Sequence, residues 1–357
     1  MQRALALAAL GEGDVHPNPL VGAVVVRDDR IVGRGYHRRC GGPHAEVYAL
    51  DEAGDDARGA TLYVTLEPCC HHGRTPPCTD RIIAAGVRRV VIATRDPNPQ
   101  VDGGGVEHLR AAGIDVTEGI LAAQAEALNE IFFTYIRRGA PFVQLKLAIS
   151  LDGRIATRAG DARWISSAPS RIEAHRLRRR FMAIAVGVGT VIADDPRLTV
   201  RHVVGPDPVP IVLDRAGRLP PTARLLQGPI APIVATASMP PDVEAVLAER
   251  GARIWRLRDP EGAIDLAQLL ARLGSERIDS VLIEGGGDTA AHFLAGGLVD
   301  KLSWFVCPLL IGGRDAIPAV GGVGSARIAD ALRLKDVSTR WVGPDLLYEA
   351  YPVRNEA

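Results

Sequence analysis

The sequence predicts two α/β domains laid end to end, and three observations carry this. The chain has 357 residues, more than one hydrophobic core usually organises. Apolar runs of strand length alternate with helix-length segments in both halves. A break at Gly139-Ala140-Pro141, directly after the basic end Arg137-Arg138, separates the two series. The domains so bounded are 1–139 and 140–357.

In the first half, residues 2–10 read as an amphipathic helix, too short before Gly11-Glu12-Gly13-Asp14 to be a leader. Val15-His16-Pro17-Asn18-Pro19 is a turn that excludes helix. Asn18 is a candidate to hydrogen-bond a substrate base edge, or to cap that turn. Val21–Arg27 and Ile31–Gly35 form a hairpin around Asp28-Asp29. Gly41-Gly42-Pro43 leads into a helix whose first turn holds His44 and Glu46. A strand over Thr61–Leu66 delivers Glu67-Pro68-Cys69, and Cys78 opens a helix to about Ala85. Arg88–Thr94 is the next strand. Asp96-Pro97-Asn98-Pro99 and Gly103-Gly104-Gly105 read as one loop, a weak phosphate signal and otherwise a plain turn. Residues 121–138 read as a helix.

His44-Ala45-Glu46 with Pro68-Cys69 and Cys78 carries the chemistry of the first half. One imidazole and two thiolates make a three-ligand zinc site with a fourth position left for water. Zinc lowers the pKa of such a water to about 7. Glu46 is not needed as a ligand and is placed to carry protons. H-x-E followed by P-C and a second cysteine is the signature of zinc deaminases, although here eight residues separate Cys69 from Cys78 where the usual motif has two. The alternative is a structural zinc closed by Cys70, His71 or His72. The other cysteines, Cys40 and Cys307, read as small buried residues. Five cysteines, three of them clustered, suit a metal better than a disulfide framework.

The second half restarts with a strand over Phe142–Ile149, in which Lys146 points either into a pocket or outward, and a turn at Ser150-Leu151-Asp152-Gly153-Arg154. A helix over Ala168–Arg180 bears Arg176, Arg178, Arg179 and Arg180. Strands follow at Met182–Val188, Val209–Leu213, Ile230–Ala235 and Ser280–Glu284. Glu284-Gly285-Gly286-Gly287 then opens a helix near Asp288–Leu294, a turn whose N–H groups suit a dinucleotide's phosphates. No G-x-G-x-x-G is present, so a nicotinamide cofactor would need an α/β scaffold other than a Rossmann fold.

Lys+Arg 42 balances Asp+Glu 42, which disfavours a nucleic-acid partner, and the aromatic content of 4% disfavours a flipped-base site. No apolar run is long enough to span a membrane. The expected location is the cytoplasm.

Together these residues resemble the bifunctional deaminase–reductase of riboflavin biosynthesis over nearly the whole chain. The first half carries the likeness in Pro17–Gly22, Gly42–Glu46 and the string TLEPCCHHGRTPPC from Thr65 to Cys78. The second half carries it in KLAISLDGR (Lys146–Arg154), Trp164-Ile165, Gly189-Thr190-Val191, Asp194–Thr199 and Glu284-Gly285-Gly286. The resemblance implies an N-terminal cytidine-deaminase-like α/β/α domain followed by a dihydrofolate-reductase-like α/β domain. It implies a pyrimidine ribotide substrate, hydrolytically deaminated and then reduced by NADPH from ribosyl to ribityl. It assigns zinc to His44, Cys69 and Cys78, and proton transfer to Glu46. It places Ala148, Trp164, Thr190, Asp194, Gly286, Gly287, Asp288 and Thr289, in a segment running to His292, near NADPH. Arg178, Leu198, Arg201 and Glu284 fall near the substrate. Homo-oligomers are common in the family. Three positions depart from its pattern: Ala162 and Cys70 replace expected serines, and Arg215 replaces a small polar residue beside the cofactor.

Overall fold

Asp28 and Asp29 both take positive φ, 48° and 58°, the backbone that closes a hairpin between twisted strands. They join β1 (Gly22–Arg27) to β2 (Arg30–Tyr36) in the computed structural model, which describes residues 1–71, 76–99 and 101–353. His72 and the rest of the 72–75 stretch lie outside the described residues. The chain divides into two units, Met1–Gly139 and Ala140–Ala357. Among the described residues, no helix is long and apolar enough to cross a membrane.

In the first unit, α1 (Gln2–Ala8) lies so close to β1 that a Cβ on Gly22 would stand 2.0 Å from the Ala4 carbonyl oxygen. The chain continues through α2 (Ala45–Ala53), β3 (Thr61–Leu66), α3 (Cys78–Ala84), β4 (Arg89–Thr94), α4 (Gly104–Ala111) and β5 (Asp115–Thr117). The sheet runs β2-β1-β3-β4-β5, antiparallel up to β3 and parallel beyond it. Leu62, Val64, Val90, Ile92 and Ala49 belong to one buried core. The parallel β3–β4 register sets Leu66 opposite Thr94, so the loops leaving these two strands emerge side by side.

Two readings of this unit need correction. The glycines at 103–105 do not form a plain loop, because Gly104 begins α4. The 121–138 helix is two helices, α5 (Ala122–Leu128) and α6 (Glu130–Arg138), broken at Asn129. The buried Asn129 carboxamide acts like a strand neighbour: its Oδ1 accepts from the Leu20 N–H at 2.7 Å and its Nδ2 donates to the Leu20 carbonyl at 3.0 Å. Facing Leu20 in this way takes Asn129 out of helical geometry (φ −104°, ψ 20°).

The second unit contains β6 (Phe142–Ser150), β7 (Arg154–Ala156), α7 (Ala168–Arg180), β8 (Ala183–Gly187), α8 (Val188–Asp194), β9 (Val209–Leu213) and β10 (Ile233–Thr236). It continues with α9 (Pro241–Glu249), β11 (Arg253–Arg256), α10 (Leu266–Ser275), β12 (Ser280–Glu284), α11 (Gly287–Ala295) and β13 (Lys301–Cys307). It ends with β14 (Ile317–Pro318), β15 (Leu334–Val342) and β16 (Asp345–Pro352). Nine strands form one sheet, β11-β10-β9-β8-β12-β6-β13-β16-β15, parallel except for the pairings of β16 with β13 and β15. Along β8, Ala183 and Ala185 enter one core while Ile184 and Val186 enter another. Burial on both faces explains its continuous apolar run. The strand expected from Met182 to Val188 stops at Gly187, and Val188 is already helical. The strand expected from Ile230 begins at Ile233, after Pro232, which has no N–H for a ladder.

Candidate active sites

The first site is assembled where β3 ends and two helices begin. His44 is the N-cap of α2, with extended backbone (φ −76°, ψ 166°), rather than a member of its first turn as the sequence suggests. Glu46 does lie in that turn. Cys69 follows β3, and Cys78 is the first residue of α3. His44 Nδ1 stands 3.1 Å from Cys78 Sγ and 3.6 Å from Cys69 Sγ, and the Cys78 N–H donates to Cys69 Sγ at 3.4 Å. The three donor atoms all lie within 4.8 Å of one another.

The site's electrostatics follow from this crowding. The Cys78 thiol donates to Cys69, which with His44 beside it holds Cys69 down at about 4; the same bond, with burial, pushes Cys78 well above the thiol range. The hydrogen bond to Cys69 raises His44. Burial raises Glu46, whose Oε2 has no partner among the described residues. One imidazole and two sulfurs converge beside an orphaned buried carboxylate oxygen. That donor set fits zinc with an open position.

His37 was missed at the sequence level. It is buried, stands edge-on to His44 with ring centroids 5.5 Å apart, and places Nδ1 3.0 Å from the Pro43 carbonyl. That carbonyl calls for a proton on Nδ1, leaving Nε2 to accept from Asn18 Nδ2 at 3.1 Å. Asn18 is therefore one side chain away from His44. The only available sign was a histidine seven residues before the ligand candidate.

The second site is a cleft of about 710 Å³ at the carboxyl ends of β6, β8, β9 and β12, where open α/β sheets bind ligands. Ala148, Trp164, Thr190, Asp194, Gly286, Gly287, Asp288, Thr289 and His292 all line it, as do Arg178, Leu198 and Glu284. Arg201 does not line the cleft; its guanidinium donates to Thr199 Oγ1 at 2.9 Å and its N–H to His175 Nδ1 at 3.0 Å. Ala162 and Arg215 do line it.

Arg178 and Glu284 form a two-pronged ion pair, Nε to Oε1 and Nη2 to Oε2, both 2.9 Å. Burial opposes the Glu284 charge, yet Arg178 and Lys146 outweigh it and hold the carboxyl at about 2. Burial lowers the Lys146 ammonium, against the pull of Glu284. Asp152 lies outside the cleft and accepts from the N–H groups of Ile311 and Gly312 at 3.0 and 2.7 Å, so it is a turn residue.

Beside these charges the backbone forms a cradle. Gly285 and Gly286 have φ of 71° and 69°, a conformation other residues rarely adopt. A Cβ on Gly187 would meet Thr289 Oγ1 at 2.6 Å, and one on Gly287 the Pro318 carbonyl at 2.5 Å. Two glycine turns thus meet at the start of α11, which fits a dinucleotide's phosphates.

A His/Cys/Cys centre with a buried glutamate, and a glycine-cradled cleft in a separate parallel sheet, define a two-domain zinc deaminase and nicotinamide-dependent reductase. Residues 1–94 match the cytidine and deoxycytidylate deaminase zinc-binding region, and residues 141–348 match the RibD C-terminal domain. The chain is 45% identical to riboflavin biosynthesis protein RibD of Aquifex aeolicus, over 97% of this chain and 96% of that one. It is 44% identical to RibD of Escherichia coli, again over 97% and 96%. Its structure is similar to that of Acinetobacter baumannii RibD (39% identity, TM-score 0.89, covering 99% of this chain and 98% of that one). It is similar also to the diaminohydroxyphosphoribosylaminopyrimidine deaminase/5-amino-6-(5-phosphoribosylamino)uracil reductase of Thermotoga maritima (39%, TM-score 0.87, 99% and 97%). The chain belongs to the RibD family of bifunctional riboflavin-biosynthesis enzymes. It combines a zinc-binding deaminase domain with a reductase domain that uses NADPH.

Proposed function

We propose that residues 1–139 hydrolytically deaminate 2,5-diamino-6-ribosylamino-4(3H)-pyrimidinone 5′-phosphate, and that residues 140–357 reduce the product's ribosyl group to ribityl. The end product is 5-amino-6-ribitylaminouracil 5′-phosphate. The observation that carries this reading is the joining in one chain of the His44/Cys69/Cys78/Glu46 cluster to the cleft around Lys146, Arg178 and Glu284.

In the first reaction His44, Cys69 and Cys78 would hold zinc, which when bound would supply an activated water. Glu46, raised by burial, is placed to move two protons in turn, one from the attacking water to the ring nitrogen and a second from the added hydroxyl to the departing amino group. Asn18, held through Nδ2 by His37, keeps its Oδ1 to accept from the base edge. In the second reaction NADPH supplies a hydride. Ala148, Trp164, Thr190, Asp194 and the Gly286–Thr289 turn orient the cofactor, while Arg178, Leu198 and Glu284, which line the same cleft, hold the ribotide. Arg215 and Arg218 line the same cleft, and we assign them the 2′-phosphate. Replacing both with alanine is expected to raise KM for NADPH roughly tenfold or more, the loss of a charge-assisted contact, and to leave KM for NADH unchanged. An equal rise for both cofactors would remove that assignment.

The chain is proposed to work in the cytoplasm as a homo-oligomer. The lack of any disulfide pairing among Cys40, Cys69, Cys70, Cys78 and Cys307 supports the first point; of the two cysteines read as small buried residues, Cys307 is buried and Cys40 is exposed. The exposed edge strand β15 supports the second. The decisive experiment is mass spectrometry after supplying the diaminopyrimidinone ribotide, zinc and NADPH. A product both deaminated and reduced is expected, and an unaltered substrate with zinc bound would refute the assignment.

A further inference from the structure

Glu67 is a charged side chain only 3% exposed, and no step above uses it. Its carboxylate accepts three backbone N–H groups: Gly103 at 3.0 Å and Asp96 at 3.4 Å on Oε2, and Val106 at 3.0 Å on Oε1. Gly103 is the N-cap of α4, and Val106 is the helix's third residue. A carboxylate at the end of β3 therefore satisfies donors that a capping side chain would otherwise take, and Gly103 has no side chain to offer.

The glycine run follows from the same contact. A Cβ on Gly105 would stand 2.1 Å from the Pro68 carbonyl, and one on Gly104 2.9 Å from Cys70 Sγ. The loop that reads as a weak phosphate cradle already holds an anion, and the anion belongs to the chain itself. Glu67 is two residues before Cys69, with Pro68 stiffening the link. The turn bearing Cys69 is thus pinned from both sides, by the Glu67 clamp and by the Cys78 N–H on the sulfur.

We propose that Glu67 is a positioning residue of the metal centre: by clamping the start of α4 it holds Cys69 where one ion can be shared with His44 and Cys78. This rests on the zinc reading of that trio. The test uses the full-length chain loaded with Co²⁺ in place of zinc, whose absorption bands report thiolate ligation and tetrahedral geometry. Affinity is read by competition with a chromogenic chelator. Glu67→Gln keeps the side chain's size but turns a donor toward backbone N–H groups. Metal affinity is expected to fall roughly 10–100-fold, as when residues that orient ligands are changed, and the Co²⁺ bands to weaken. Reductase turnover in the same preparation should stay at the parent level, showing that the chain is folded. Gly105→Ala keeps the Glu67 side chain but sets a Cβ 2.1 Å from the Pro68 carbonyl and 3.2 Å from Glu67 Oε1, disturbing the clamp from the α4 side, and is expected to give the same metal phenotype even if Glu67→Gln fails to fold. Parent-like Co²⁺ bands and affinity in the folded variants, with only the melting temperature lowered, would overturn the proposal. A parent chain that takes up no Co²⁺ would instead overturn the zinc reading beneath it.

Discussion

Two carboxylates, Glu46 and Glu284, are buried to a similar degree and pushed in opposite directions. Glu46 has one oxygen without a partner, and burial raises it. Glu284 faces Arg178 and Lys146, which hold it at about 2. The first is arranged to exchange a proton, the second to keep its charge. Glu46→Gln is therefore expected to cut ammonia release by about 10²–10⁴-fold, the range of general acid–base catalysis, while the purified chain still carries zinc by elemental analysis. Deamination at the parent rate would remove Glu46 from the mechanism. For Glu284 the folded value lies below the ordinary 4.5. Its contribution to stability is full above pH 4.5 and disappears as pH falls toward 2. Glu284→Gln leaves Arg178 unpaired and is expected to cost about 3–5 kcal/mol at neutral pH. Urea midpoints measured from pH 7 to pH 2 should then fall less steeply below 4.5 than the parent's, and equal slopes would contradict this. His44, Cys69, Cys78 and Glu46 were legible in the sequence because each is a special residue type at a telling spacing. His37 was not, because nothing near it in the chain shows that the turn leaving β2 sets it against His44.

Among the elements, the turns and the first strands could be read directly. Asp28-Asp29, Gly139 and the Glu284–Gly287 turn declare themselves through residues that only certain backbones tolerate. The break at Asn129 could not be read, because its cause is Leu20, 109 positions away. The start of α4 was hidden for a similar reason, since three glycines open a helix only when Glu67 caps it from β3. The edge strand β15 escaped the sequence reading because Leu334, Val337 and Trp341 stand exposed, with no buried face to impose alternation. An exposed edge strand that carries Leu334, Val337 and Trp341 among charged and polar residues is suited to a second copy of the chain. Trp341→Glu is expected to shift the mass measured by light scattering from oligomer to monomer at micromolar concentration, with the fold intact by circular dichroism. A parent chain that is monomeric at the same concentration would remove self-association.

At the scale of the whole molecule, the two-unit division was announced by Gly139-Ala140-Pro141, whereas the nine-strand order was not. No local pattern shows that β12 inserts between β8 and β6, or that β13 takes the other side of β6. Those pairings carry a consequence for synthesis. Gln144 on β6 donates to Ser303 on β13 at 2.7 Å across 159 residues. A ribosome adding about 5–20 residues per second needs about 10–30 s to cover that distance. Until β12 (Ser280–Glu284) is made, late in that interval, β6 has no final neighbour on either side. The first unit has no such wait, for its sheet closes among strands made in quick succession. Nascent chains arrested after Ser275 should therefore resist protease in the first unit and be cleaved in the second; equal resistance would mean that β6 finds shelter before its partners exist. During that interval a central strand of the second unit stands bare, so the folded yield is expected to depend on the rate of synthesis as well as on final stability.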